Sequence, residues 1–288
     1  MKHVGHLPPL HPLIALIDYS KTHFDVLKTG EKIILDFYKV SFKKSFKGRV
    51  RYGQRYYDFD EGGLAFLRPN QVVFTSDDSN QYEGYALYVH PDFLRGYPLS
   101  KSINRYGFFS YTADEALFLS AQEKEIVSHL FDAIQSELET NIDAFSQDVL
   151  VSQLEVLFNY SHRFYNRQFL TRKAVNHDII SSLDNLLDQY FEENKSQQTG
   201  LPSVQYVSFQ LNVSARYLSD MLRSLTGQNT QQYIQQALIE RSKDLLSAGT
   251  LSIAEIAYQL GFEHPQSFSK LFKTKTKLSP LEFRRSFN

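Results

Sequence analysis

The sequence has no cysteine, which excludes disulfides, thiolate chemistry and cysteine-ligated zinc. It has almost no net charge: 31 Lys and Arg stand against 32 Asp and Glu, a formal −1. No global field draws the chain to nucleic acid, so charge has to be read locally. A long apolar run is missing too. The N-terminal stretch MKHVGHLPPLHPLIALIDYS is interrupted at His11 and Pro12 and stops at Asp18. That is too short and too broken for a signal peptide's apolar core or a membrane span, and a cytoplasmic location with no membrane partner is expected. Histidines are scattered. The N-terminal half offers His3, His6, His11, His23 and His90 with no H-x-H pair, and a transition-metal site needs clustered imidazoles and a carboxylate. No metal, cofactor or catalytic group is expected, and His90, before Pro91, reads as a loop or strand-end residue. The 288 residues are enough for two domains, each with its own core.

What is there is a repeated pattern near the C-terminus. In LSIAEIAYQLGFEHPQSFSKLFKTKTKLSPLEFRR, Ile253, Ile256, Ala257 and Leu260 form the i, i+3, i+4, i+7 stripe of one helix face. Ser252 with Glu255 three residues on reads as a capping box. Gly261 breaks the stripe as a positive-φ turn residue would, and a second stripe follows at Phe268, Leu271 and Phe272. Helix, tight turn and helix make a helix-turn-helix, whose second helix lies in a DNA major groove. Val204, Val207, Ser208, Leu211, Asn212 and Val213 repeat the first stripe at one constant offset, and Leu218, Met221, Leu222 and Arg223 repeat the second after one residue of slip. Between the copies, Thr230–Ala248 has the spacing of one long helix, stiff enough to hold two recognition helices roughly 34 Å apart, one turn of DNA.

These segments, LNVSARYLSDMLRSLTG, IQQALIERSKDLL and IAEIAYQLGFEHPQSFSKLFK followed by SPLEFR, resemble the DNA-binding domain of the AraC/XylS family of bacterial transcription regulators. Two positions depart from the family's pattern: Lys277 stands where glycine usually ends the second recognition helix, and Ser208 replaces the usual alanine. The resemblance implies a two-domain α+β protein. It would have an N-terminal antiparallel cupin-like β-barrel with a helical dimerisation pair, and a C-terminal all-α domain with two helix-turn-helix units. The expected division is 1–112 for the β sensor, 113–172 for the helical dimerisation segment and 173–288 for the DNA-binding domain, with the units at about 203–225 and 252–274.

The residues of the N-terminal half agree with a β region to about residue 110. Ile33–Phe42, Arg55–Phe59, Leu64–Leu67, Val72–Phe74 and Tyr85–Val89 are short aromatic and β-branched runs. Turn signals separate them at Lys47-Gly48, Asp60 to Gly63, Pro69-Asn70 and Asp77-Asp78. Such spacing suggests an antiparallel barrel or jelly roll. Arg49, Arg51, Arg55 and Tyr57 are candidate contacts to an anionic effector, although exposed strand faces also carry arginines. From Ala113 to Thr140 and from Phe145 to Phe164 the period becomes helical. Leu150, Leu154, Leu157 and Phe158 are the candidate dimer seam, the bland alternative being a helix pair that covers the sheet. Asn159–Leu170 reads as an exit to a linker, a helix spans 176–193, and Lys195–Gly200 reads as a polar loop.

For DNA, the outward positions of the first recognition helix (about Ser214 to Ser224) include Arg216, Ser219, Asp220 and Arg223. Arg216 is the best base reader, since a guanidinium meets guanine O6 and N7 with two bonds. Asp220 would repel phosphate, so it accepts from cytosine or pairs with an arginine. In the second unit His264, Gln266, Ser267 and Lys270 point outward, while Lys273, Lys275 and Arg284 suit the phosphate backbone. The expected function is sequence-specific regulation, leaning to activation, by a homodimer on promoter DNA, with RNA polymerase as a further partner and a small-molecule effector for the N-terminal half. The alternatives are a barrel that only oligomerises, a cupin enzyme with a DNA-binding tail, and an architectural DNA-binding protein.

Overall fold

The computed structural model describes residues 10–21, 32–46, 49–52, 55–58, 62–74, 82–112, 115–140 and 143–286. The backbone alone is described at 32–33, 45–46, 49–52, 55–58, 73–74, 82 and 173–174. His3, His6 and His23 lie outside these residues, as do Lys47-Gly48, Asp60-Glu61 and Asp77-Asp78. The chain divides into two compact units, 1–168 and 169–288.

Unit 1 is built on an antiparallel sheet. Its strands are β1 (Ile14–Asp18), β3 (Tyr38–Phe46), β6 (Gly63–Leu67), β8 (Tyr82–Val89) and β9 (Leu117–Phe118), in the order β1-β8-β3-β6-β9. Two separate ribbons pair β2 (Lys32–Ile34) with β7 (Val72–Phe74) and β4 (Arg49–Tyr52) with β5 (Arg55–Asp58). The expected antiparallel N-terminal region and helical C-terminal region are both present. Among the described residues the pairing is an open sheet with two ribbons, not a closed barrel. The run Ile33–Phe42 is two strands separated at Asp36 and Phe37. Ile14–Asp18, read only as a broken apolar run, is an edge strand on β8, with Leu16 opposite Leu87.

A short helix α1 (Pro98–Ser102) precedes two long ones, α2 (Ala121–Glu139) and α3 (Ser146–Thr171). Two expectations are corrected here. Ala113 and Asp114 lie outside the described residues, but the stretch that follows them is not yet helix: Leu117 pairs with Leu64 in β9, and α2 starts at Ala121 behind a Ser120–Glu123 capping box. Asn159–Leu170 is not a linker but the continuation of α3, and the reason is the edge it covers. Gln168, buried, accepts from the Phe118 N–H (2.8 Å) and donates to the Ala116 carbonyl (3.2 Å). Arg167 Nη2 donates to the Phe118 carbonyl (2.7 Å) and the Tyr165 hydroxyl to that of Glu115 (3.0 Å). An edge strand left open would carry unpaired polar backbone, and α3 supplies the partners.

The proposed seam residues are also reassigned. Leu150 (2% exposed), Leu154 (0%), Leu157 (0%) and Phe158 (1%) are buried within the chain itself. Phe158 meets the rings of Tyr106, Phe108 and Phe109 at 5.6, 6.4 and 5.3 Å, and on α2 Phe131 packs on Phe42 at 5.3 Å. These stripes belong to unit 1's own core. On α3 and just before it, the exposed large apolar residues are Phe145, Val149, Val156 and, near the C-terminal end, Leu170 (70%, 40%, 42% and 51%); the first three are spaced to share one helix face.

Replacing Gln168 with leucine, close in size, should lower the stability of unit 1 by about 2 kcal/mol, because a buried N–H and a carbonyl both lose their partner. A shift in the denaturation midpoint checks this, and an unchanged midpoint would remove the edge-covering role.

Candidate nucleic-acid interface

Unit 2 is all helix. α4 (Lys173–Glu192) and a short α5 (Lys195–Thr199) lead into α6 (Val204–Leu211) and α7 (Ala215–Thr226). Then come α8 (Thr230–Ala248), α9 (Ile253–Gln259), α10 (Pro265–Thr276) and α11 (Pro280–Arg285). Lys195–Gly200, expected as loop, is therefore a helical turn, and its packing explains why. The Ser196 hydroxyl donates to the Gln259 carbonyl at 2.6 Å.

Each helix-turn-helix is set by caps visible in the residues. Ser203 accepts from the Tyr206 N–H and Ser214 from the Tyr217 N–H, as short hydroxyl side chains do at helix starts. Ser252 and Glu255 form the expected capping box, and the Ser252 backbone and hydroxyl bonds hold the Glu255 carboxyl below its usual range. The turn residues Asn212 and Gly261 both sit at positive φ, 58° and 91°. At Gly261 a Cβ would stand 2.7 Å from the Ser196 carbonyl oxygen and 2.8 Å from the Gly200 carbonyl carbon, so only glycine fits. Lys277 takes the left-handed conformation (φ 68°) in which Gly227 ends the first recognition helix. A lysine there costs about 1 kcal/mol relative to glycine.

The apolar faces meet around α8, which packs against α7 and against α9, α10 and α11. Leu218, Met221 and Leu222 of α7 and Phe268 and Phe272 of α10 are fully buried. Phe262, Phe268, Phe272 and Phe283 form a chain of ring contacts at 5.4 to 5.8 Å. The Tyr233 hydroxyl of α8 donates to Asp184 of α4 at 2.8 Å, and burial together with that bond raises its pKa.

Burying these stripes leaves the opposite faces outward. On α7, Arg216 and Arg223 are exposed and Ser219 and Asp220 half-buried. Asp220 joins the two arginines: Arg216 Nε donates to one carboxylate oxygen at 2.9 Å and Arg223 Nη1 to the other at 3.3 Å. On α10, His264, Gln266, Ser267, Lys270, Lys273 and Lys275 are all exposed. His264 precedes Pro265 without a side-chain cap bond. Lys273 lies near enough to Glu282 to help hold that carboxyl low, after the Ser279 bonds that dominate.

Arg284 is the exception. Its Nη2 donates to the Leu251 carbonyl at 2.6 Å, and its Nε is buried without a partner. Expected on the phosphate backbone, it instead ties α11 to the residue before the α9 cap. Two exposed aromatics escaped the reading from residues: Phe209 (80% exposed) and Tyr258 (54%) stand at equivalent places of α6 and α9, and the constant offset of the repeat was the signal that marked them as a pair.

A family model described as a helix-turn-helix domain matches residues 207–286, and one described as an AraC-like ligand binding domain matches 47–154. The HTH-type transcriptional activator RhaS of Klebsiella pneumoniae is 25% identical over 253 residues, 87% of this chain and 86% of that protein. The Msm operon regulatory protein of Streptococcus mutans is 39% identical over 79 residues, 27% of this chain and 28% of that one, so the shared part is about a quarter of each. Among solved structures, the C-terminal domain of the two-component response regulator yesN from Fusobacterium nucleatum is 31% identical over 35% of this chain and 95% of that chain, with a TM-score of 0.30.

Loss of Lys273 or Lys275 should weaken binding to every duplex and flatten the dependence of log K on log salt by about one unit per lost phosphate contact. Arg284→Ala should leave that slope unchanged and lower the melting temperature instead. A slope change for Arg284→Ala would return it to the phosphate backbone.

The chain is thus similar along most of its length to AraC/XylS-type transcription regulators, through an AraC-like ligand binding match in the N-terminal part and a helix-turn-helix match in the C-terminal part.

Proposed function

We propose that the chain is a sequence-specific transcriptional activator that binds promoter DNA through both α7 and α10 and takes its signal through unit 1. The observation that carries the reading is the pair of capped helix-turn-helix units on one helix, α8, of 19 residues and so about 28 Å long. Their outward faces hold the side chains suited to base edges and phosphates. Arg216 is the principal base reader of α7. Ser219 and Arg223 flank it, and Gln266, His264 and Ser267 serve α10, with Lys270 reaching guanine or phosphate. Activation is taken from the relative whose printed name is a transcriptional activator, and RNA polymerase is the downstream partner that such a role would call for. Among the described residues no helix is long and apolar enough to cross a membrane, in keeping with a cytoplasmic protein.

Effector sensing by unit 1 draws support from the ligand-binding family model. The candidate contacts Arg49, Arg51, Arg55 and Tyr57 lie on the β4–β5 ribbon. Its register pairs Arg49 with Asp58 and Arg51 with Tyr56, but Tyr57 with Val50 and Arg55 with Tyr52. Directly paired residues share a face and neighbours alternate, so Arg49 and Arg51 occupy one face and Arg55 and Tyr57 the other. A second place for a ligand is a surface cavity of about 400 Å³ lined by Tyr38, Arg68, Asn104, Tyr106 and Phe109, among others.

Homodimerisation, with Leu150, Leu154, Leu157 and Phe158 committed to the core, falls to the exposed Phe145, Val149 and Val156.

Selection of bound sites from random duplexes should enrich one motif spanning two successive major grooves. No enriched motif would favour the architectural reading. In that motif Arg216→Ala should cost about 1–3 kcal/mol at a single base position. Val149→Glu together with Val156→Glu should give monomers by light scattering, and persistent dimers would move the interface elsewhere.

A further inference from the structure

We infer that Asp220 is a positioning residue for base recognition: its carboxylate holds Arg216 and Arg223 so that Arg216 meets its base already oriented. The inference rests on the reading of α7 as a recognition helix and adds to it how the reader is aimed.

The geometry is a shared clamp. One carboxylate oxygen takes Arg216 Nε at 2.9 Å and the other takes Arg223 Nη1 at 3.3 Å. The side chain of Asp220 is 17% exposed, against 43% for Arg216 and 55% for Arg223, so the acid sits low between two cations that reach past it. A guanidinium is a rigid planar fork with five N–H donors. With its Nε side turned onto Asp220, the edge formed by the two terminal nitrogens is directed away from the carboxylate. That edge has the spacing for guanine O6 and N7. A long, flexible side chain otherwise loses most of its rotamer freedom when it binds. The clamp imposes much of that loss beforehand, which raises discrimination at the base it reads.

A purely stabilising role accounts poorly for this acid. Aspartate is a weak helix former, and it lies far from the first turn, where the helix dipole would favour it. The i, i+4 pair with Arg216 has the less favourable order, base before acid, and the i, i+3 pair with Arg223, in the better order, is one longer, half-exposed ion pair of small effect. A negative charge on a face that approaches phosphate also lowers affinity for every sequence. Asp220 therefore costs general affinity and contributes little local stability, which leaves orientation of the arginines as its consequence. The second unit lacks the device. Fifty residues on, at the offset that relates α7 to α10, Arg216, Asp220 and Arg223 correspond to Gln266, Lys270 and Lys273. The acid thus marks α7 as the helix with an oriented reader, whereas α10 itself carries no acid among its outward lysines.

The test uses the full-length protein and the duplex that it selects from a random pool. Binding of the wild type, Asp220→Asn, Asp220→Ala, Arg216→Ala and Arg216→Ala combined with Asp220→Asn is measured on that duplex, on its single-base variants and on an unrelated duplex. Both Asp220 variants should lose most of the roughly tenfold or greater discrimination at the one base position where Arg216→Ala loses it. They should bind the unrelated duplex as well as the wild type or better, and the double variant should discriminate no worse than Arg216→Ala alone. Alanine is the best helix former, so the Ala variant keeps α7 folded and the comparison interpretable. If both variants keep the wild-type base preference and simply bind all duplexes more tightly, Asp220 is only a repelling charge and the inference is wrong. If the wild type itself selects no motif, the failure lies in the recognition-helix reading instead.

Discussion

One backbone residue in each unit decides whether a recognition helix has a face to present. At Asn212 and Gly261 the chain enters the left-handed region, and a right-handed value there would run the scaffold helix straight on into the next. The same step pairs backbone groups that the helix end would otherwise orphan. The Val213 N–H reaches the Ser208 carbonyl and the Phe262 N–H that of Ala257, both at 3.0 Å, the closing bond of a glycine-type helix stop. Asparagine tolerates the conformation in the first unit. In the second, the chain at Ser196 and Gly200 comes so close that glycine is required. Because this constraint recurs at a fixed offset, two recognition helices follow from one piece of local chemistry used twice.

Given those turns, burial does the sorting. Leu218, Met221 and Leu222 must leave water, as must Phe268 and Phe272, and each helix has only one other side for its charged residues. The two outward sides then differ in kind. α7 carries arginines tied to an acid, whereas α10 and its C-terminal residue carry Lys270, Lys273, Lys275 and Lys277. Phosphate attraction depends on cation count and salt and is indifferent to sequence. Base reading depends on oriented donors. In the proposed reading α10 therefore supplies more of the phosphate attraction and α7 the oriented arginine, beside the base-edge candidates Gln266 and Ser267 that α10 also presents.

The DNA-binding half was legible because its signals are local. Capping residues, stripes of period 3.6 and positive-φ turns each span fewer than ten residues, so Thr230–Ala248 and the Ser252 capping box are found where the pattern puts them. The structural tie of Arg284 was not legible, because its basic neighbours suggest phosphate and nothing in the sequence shows that the Leu251 carbonyl, 33 residues back, lies within reach. The same limit explains unit 1. Leu117 fits a helical stripe and a strand equally well, and only its distant partner Leu64 decides. Asn159–Leu170 looks like a linker until the strand edge that its glutamine and arginine satisfy is known.

Periodicity also reports that a helix buries a face, never what covers it. α3 has two apolar stripes about half a turn apart. Leu150, Leu154, Leu157 and Phe158 meet the chain's own sheet and aromatic segments, while Phe145, Val149 and Val156 face outward. Three leucines and a phenylalanine outweigh a phenylalanine and two valines in a hydrophobic count, so the heavier stripe invites assignment to a partner. Burial assigns it the other way, because a small sheet needs its own cover before it can offer a surface to anything else. What remains for association is the lighter stripe. It adds little apolar area per residue, so an interface built on it needs polar neighbours or a second contact to reach the size of a stable dimer.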